Sequence, residues 1–154
     1  MLTNPHDVNN LTSAIIDAAI TVHKELGPGL LEAVYTESLT YELQERNFDV
    51  ETNQRLPVVY RGHVLSNYFF LDLRVNQKVI IEVKSIAALA PVHAAQLMTY
   101  LRLSGCPVGL LINFNVPLLK EGLRRIIRSE RNAEARTAPP PPPFPPSPPS
   151  PPSP

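Results

Sequence analysis

Residues 78–84 read Lys78-Val79-Ile80-Ile81-Glu82-Val83-Lys84, and the assignment of this stretch decides the fold. It is short, apolar and rich in β-branched residues, which predicts a largely buried strand. Alternate side chains of a strand share a face, so Glu82 and Lys84 point one way while Ile81 and Val83 point the other. A carboxylate and an ammonium two residues apart are costly to bury in such a strand without a purpose. Taken alone, Glu-x-Lys is a common tripeptide, and a solvent-facing ion pair on a half-exposed strand would explain it.

The preceding segments change that balance. Val50–Tyr60 and Val64–Val75 both read as strands, with Arg61-Gly62 as a hairpin turn and Asn76-Gln77 as the next turn. Asp72 follows Tyr68-Phe69-Phe70-Leu71, a poor place for a free carboxylate. If the second hairpin sets Asp72 beside Glu82, two carboxylates and one lysine converge. That set suits metal-assisted phosphodiester hydrolysis: two hard oxygen ligands hold Mg²⁺ and leave it several waters, and a nearby lysine stabilises the charge that develops.

The register decides whether this happens. A two-residue turn at Asn76-Gln77 would pair Val75 with Lys78 and Asp72 with Ile81, on the wrong face. The site needs a bulge or an odd loop, such as residues 76–78 pairing Val75 with Val79 and Asp72 with Glu82. The carboxylates should then lie within about 4–6 Å, close enough to share an ion. Lys84 should share that face, with Glu32 and Gln96 reaching the same cleft.

Downstream, residues 91–104 predict a helix, with Pro91 in its first turn and Gly105 ending it. Gln96 and Tyr100, spaced i, i+4, share one face of it, and His93 lies three residues before Gln96. Without the strand motif beside them, a core tyrosine and a surface amide would be the favoured account of Tyr100 and Gln96. Pro107–Phe114 is a nearly continuous apolar run, expected as a central strand covered on both faces. Val116–Arg128 fits either an edge strand or a short helix.

Upstream, Leu11, Ile15, Ala18, Val22 and Leu26 recur at helical spacing over residues 8–26, and Gly27-Pro28-Gly29 stops that helix. A second helix over 30–46 has Leu31, Val34, Leu39 and Leu43 as its expected inner stripe. Two helices, three meandering strands, a helix and a strand predict an α/β fold with a mixed central sheet flanked by helices.

Composition narrows the function. Fourteen basic and fourteen acidic residues cancel, so contact with a polyanion must come from a local patch or a bound metal ion. Arg124, Arg125, Arg128 and Arg131 form the one basic cluster, read equally as a solvated face or a phosphate contact. The single cysteine, Cys106, excludes an intramolecular disulfide and reads as a small buried hydrophobe. The four histidines lack zinc spacing; His23 suits the helix dipole. Met1–Asn10 does not read as a signal peptide, and no apolar run approaches the ~20 residues of a membrane span. A cytoplasmic protein without membrane contact is expected. Residues 8–130 should form one domain. Twelve of residues 139–154 are proline, so 138–154 is expected to be an extended or disordered tail that adds nothing to stability.

Gly29-Leu30-Leu31-Glu32-Ala33-Val34-Tyr35 matches a Gly-x-x-Glu-x-x-Tyr signature. With Val22–Gly29, Asp72, Glu82-Val83-Lys84, Gln96-x-x-x-Tyr100 and Gly109–Phe114, it makes six blocks in order over residues 11–128. The chain thereby resembles the GxxExxY group of PD-(D/E)xK nuclease-like proteins. The resemblance implies a PD-(D/E)xK restriction-endonuclease-like core, with Asp72, Glu82 and Lys84 as the central catalytic positions. Leu71 stands where the superfamily's name would put proline. Glu32 would add an acidic group, and Gln96, Tyr100 and His93 would line the site and position substrate. The implied cofactor is Mg²⁺ or Mn²⁺, held by Asp72, Glu82 and the Val83 carbonyl. The implied partner is nucleic acid, and the implied activity is hydrolysis of DNA or RNA. A catalytically silent nucleic-acid- or protein-binding module with the same fold is the alternative.

Overall fold

A computed structural model describes residues 5–129. The proline-rich tract at 138–154 and Arg131 lie outside the described residues. The chain forms helices α1 (Pro5–Leu26), α2 (Glu32–Glu45) and α3 (Pro91–Ser104), and strands β1 (Val50–Tyr60), β2 (His63–Val75), β3 (Val79–Lys84), β4 (Val108–Asn113) and β5 (Leu123–Ile127). The strands lie side by side in the order of the chain. β3 and β4 are parallel, joined through α3, and the other neighbours are antiparallel. The expected mixed sheet flanked by helices is therefore the observed fold.

Two apolar layers hold it together. α1 and α2 cover one face, where Ile15, Ala18, Val22, Tyr35, Leu39 and Leu43 pack against Leu73, Val75, Ile81, Val83, Leu110 and Ile112. α3 covers the other, where Leu97, Tyr100 and Leu101 meet Leu56, Leu71, Ile80 and Leu111. β3 and β4 contribute to both layers, which is why their sequences are apolar almost throughout. Among the described residues no helix is long and apolar enough to cross a membrane.

α2 departs from its expected stripe. It begins at Glu32, and Leu31 is 75% exposed and Val34 39% exposed. The buried row is Tyr35, Leu39 and Leu43. Each residue turns a helix by about 100°, so a stripe read one position off faces solvent.

The segment Val116–Arg128 is both of the elements expected as alternatives: a short 3₁₀ turn, Leu119–Gly122, followed by the edge strand β5. Gly122 sits where a Cβ would lie 2.1 Å from the Asn113 carbonyl oxygen. Gly122→Ala must push the backbone aside and is expected to destabilise the fold by about 1–3 kcal/mol or more, measured by urea denaturation. Among the described residues, each arginine of this region is hydrogen-bonded within the fold. Arg124 and Arg125 are neighbours on a strand, and Arg124 donates to the Glu121 and Leu123 carbonyls, Arg125 to Asn9 and Arg128 to the Gly105 carbonyl.

The β2–β3 turn has the odd loop that the site requires. Asn76 and Gln77 take left-handed backbone conformations, with φ of 49° and 60°, and the Lys78 N–H donates to the Val75 carbonyl at 3.0 Å. Lys78 is then an extra residue, and the ladder pairs Val75 with Val79, Arg74 with Ile80 and Leu73 with Ile81. Continued by one residue, this register sets Asp72 opposite Glu82.

Candidate active site

The β2–β3 ladder stops at Leu73–Ile81, and side chains take over from main chain at Asp72. The Val83 N–H donates to Asp72 Oδ2 at 2.9 Å, and the Asp72 N–H makes a long contact of 3.5 Å to Glu82 Oε1. A strand residue turns its N–H and C=O toward the same neighbour, so the Val83 carbonyl also faces β2. The strand reverses its facing here. Phe69 and Leu71 pack on the α3 side, whereas Leu73 and Val75 pack under α1 and α2. On β1, Asn53 stands across from Asp72 with a φ of 50° and drops out of the β1–β2 pairing. This local irregularity turns both strands and frees the Asp72 carboxylate to reach sideways.

Electrostatics mark the pair. Burial raises the Glu82 carboxyl to about 8 from its ordinary 4.5, and the charge of Asp72 adds to the rise. Asp72 is also raised, chiefly by burial; the Val83 N–H and the positive charge of Lys84 oppose the shift. Lys84 lowers both carboxyls and Glu32 raises both, so four groups from β2, β3 and α2 share one field. Among the described residues Lys84 makes no ion pair, which leaves its ammonium available. The Tyr100 phenol is pushed up to about 12 by burial and by the charges of Glu82 and Asp72, which brings α3 to the site.

Glu32 is placed by the glycine-rich turn. Gly27 and Gly29 adopt φ of 71° and 94°, conformations that side chains resist, and fold the α1–α2 connection tightly. The Tyr35 hydroxyl clamps it, donating to the Gly27 carbonyl at 2.5 Å and accepting from the Leu30 N–H at 3.1 Å. Its ring stacks on Phe114 at 4.5 Å, and the Phe114 N–H donates to the Lys84 carbonyl. Glu32 then accepts from the Ser85 N–H at 3.3 Å, and Ser85 Oγ donates to the Leu30 carbonyl. The signature tyrosine is thus the post that fixes the acidic residue beside the end of β3. Tyr35→Phe keeps the stack and leaves the solvent-facing turn without its clamp, at an expected cost of about 0.5–1.5 kcal/mol in denaturant unfolding.

Asn113 completes the frame. It is buried at the end of β4, accepts from the Ile86 and Asn115 N–H groups and donates to the Ile86 carbonyl, holding the chain that leaves Lys84. Sequence reading passed over Asn113, Ser85 and Asn53; a lone amide closing an otherwise apolar strand was the available signal. A cleft of about 510 Å³ opens between α2 and the β1–β2 hairpin, with Glu32, Thr52, Asn53 and Asp72 on its walls.

Two residues stand apart. His93 Nδ1 accepts from the Ala90 N–H at 2.9 Å and so caps the start of α3. Gln96 is exposed. Among the described residues no hydrogen bond ties either to the acidic pair. Cys106 is buried with its thiol near the Gln77 carbonyl, and His23 Nε2 lies 2.8 Å from the Val116 carbonyl; both are packing residues.

The donor set suits a hydrated hard cation. Two neighbouring carboxylates resist ionising together here, and oxygen donors of this kind are those Mg²⁺ uses with water. Among the described residues no three or more His, Cys, Asp or Glu side chains form a metal cage.

A mixed sheet whose adjacent strands carry Asp72 and Glu82-Val83-Lys84 to one break in the ladder is the core of a PD-(D/E)xK nuclease fold. The model of the PD-(D/E)XK nuclease superfamily matches residues 9–126, and the chain belongs to that superfamily. No curated protein matches it.

Proposed function

We propose that the protein is a Mg²⁺- or Mn²⁺-dependent nuclease that hydrolyses phosphodiester bonds of DNA or RNA. The observation that carries the reading is the buried Asp72–Glu82 pair at the end of the ladder, with Lys84, which makes no ion pair among the described residues, two residues beyond Glu82. Asp72, Glu82 and the Val83 carbonyl hold the cation. When bound, a divalent cation neutralises phosphate charge and acidifies water. Lys84 orients the attacking water and stabilises the negative charge of the pentacovalent phosphorus. Asp72 is itself held rigid by the Val83 N–H, so its geometry is set before substrate arrives. Tyr100 walls the pair from the α3 side and excludes water there. Glu32 acts through Ser85 as a positioning residue for the end of β3.

The test is cleavage of labelled DNA and RNA oligonucleotides by the purified full chain in Mg²⁺, Mn²⁺ or EDTA. Cleavage should require the metal and disappear in Asp72→Asn. Metal binding and oligonucleotide binding without cleavage would instead identify a silent binding module.

A further inference from the structure

The β1–β2 hairpin runs on past the end of β3, which pairs only with Leu73–Val75. One face of this extension is anchored: Leu56 and Phe69 pack on α3, with the Phe69 ring 5.2 Å from Tyr100. The opposite face carries Arg55 across from Phe70 and Pro57 across from Tyr68. No described element buries it, and Tyr68 and Phe70 remain 41% and 47% exposed. Their rings meet edge to face at 5.3 Å, and the Arg55 guanidinium lies 4.3 Å over Tyr68. The buried Arg55 Nε has no hydrogen-bond partner among the described residues.

Charge separates this surface from the rest of a chain whose charges cancel. From Thr52 to Leu71 there is no Asp or Glu, while Arg55, Arg61 and His63 fall within the stretch. The aromatic row also leads toward the site, because Tyr68 and Phe70 are alternate residues of the strand that reaches Asp72 two residues further on. An apolar patch alone would serve a protein partner equally. Paired rings, an overlying guanidinium and an acid-free surround select a polyanion that offers flat π faces.

We infer that this face of the hairpin is a stacking platform for the bases of a single-stranded nucleic acid and delivers the strand to Asp72. The inference rests on the nuclease reading and adds its substrate class. A duplex keeps its bases paired and stacked, and cannot use the rings without unpairing.

Fluorescence anisotropy of the full chain in EDTA, where no hydrolysis occurs, tests this with a labelled single-stranded oligonucleotide and its blunt duplex. The single strand should bind more tightly, and Tyr68→Ala and Phe70→Ala should each weaken it by about ten-fold. Tyr68→Trp, which keeps a π face, should retain binding, and circular dichroism should show all variants folded, since both side chains are exposed. Undiminished binding by the double alanine variant overturns the platform. Tighter binding of the duplex does so as well, as does a dimer in sedimentation that the same variants dissolve. Platform-dependent binding with no cleavage in Mg²⁺ would sink the nuclease reading and leave the platform standing.

Discussion

Without a divalent cation, the protein is expected to lose stability as pH rises from about 5.5 to 8.5. The sign follows from Glu82. Its carboxyl titrates near 8 in the fold and at the ordinary 4.5 in the unfolded chain, so between those values the fold binds the extra proton. Stability is then complete below the unfolded value and drains away as pH climbs through the folded one. Asp72, raised in the same direction, steepens the trend. The loss should amount to a few kcal/mol, or about 5–10 °C in Tm. Glu82→Gln, neutral at every pH, should flatten the profile. Mg²⁺ should restore stability at the alkaline end and bind more tightly as pH rises, because binding displaces the Glu82 proton. Asp72→Asn should remove the metal response and raise the metal-free Tm at pH 8 by relieving repulsion within the pair. Scanning calorimetry across pH, with and without Mg²⁺, reads all of these. A metal-free Tm that climbs between pH 5.5 and 8.5 in wild type relative to Glu82→Gln would show that Glu82 is ionised in the fold.

Lys84→Ala is expected to separate chemistry from metal binding. The ammonium makes no ion pair with the carboxylates among the described residues, so it is no part of the ligand set. Its removal should cost cleavage about 10²–10³-fold, the usual loss when one group that stabilises transition-state charge is deleted. The Mg²⁺-induced rise in Tm should persist. Since the lysine's charge holds both carboxyls down, its loss should also move the pH at which metal binds upward. Asp72→Asn, by contrast, should lose both cleavage and the metal response. Equal cleavage by Lys84→Ala and wild type would remove Lys84 from the mechanism, whatever the metal does.

Much of this architecture was legible in residue order. Pro91 and Gly105 bracket α3, Arg61-Gly62 and Asn76-Gln77 mark the turns, and β3 and β4 announce burial on both faces by being apolar throughout. These are local properties of propensity, capping and period, and they survive in the tertiary structure because packing agrees with them. Asp72 stood out for the same reason, as a charge following an aromatic run.

Other features depend on contacts between segments far apart in the chain. The inner row of α2 contains Tyr35 rather than Leu31 and Val34 because the phenol is claimed by Gly27, Leu30 and Phe114, and that choice sets the rotation of the helix. Lys78 became an extra loop residue only because both faces of β3 had to be satisfied at once. A one-residue slip would have set Asp72 opposite Ile81 and turned its carboxylate away from Glu82. The reversal of β2 at Asp72 needed Asn53 on another strand, and the end of β3 needed Asn113 and Ser85. Sequence by itself therefore determined the elements, their order and the identities of the acidic pair and lysine. Tertiary structure alone decided that Asp72 turns out of the ladder toward Val83 and Glu82. The cost of gathering buried charges is met by the whole sheet, and no local pattern records it.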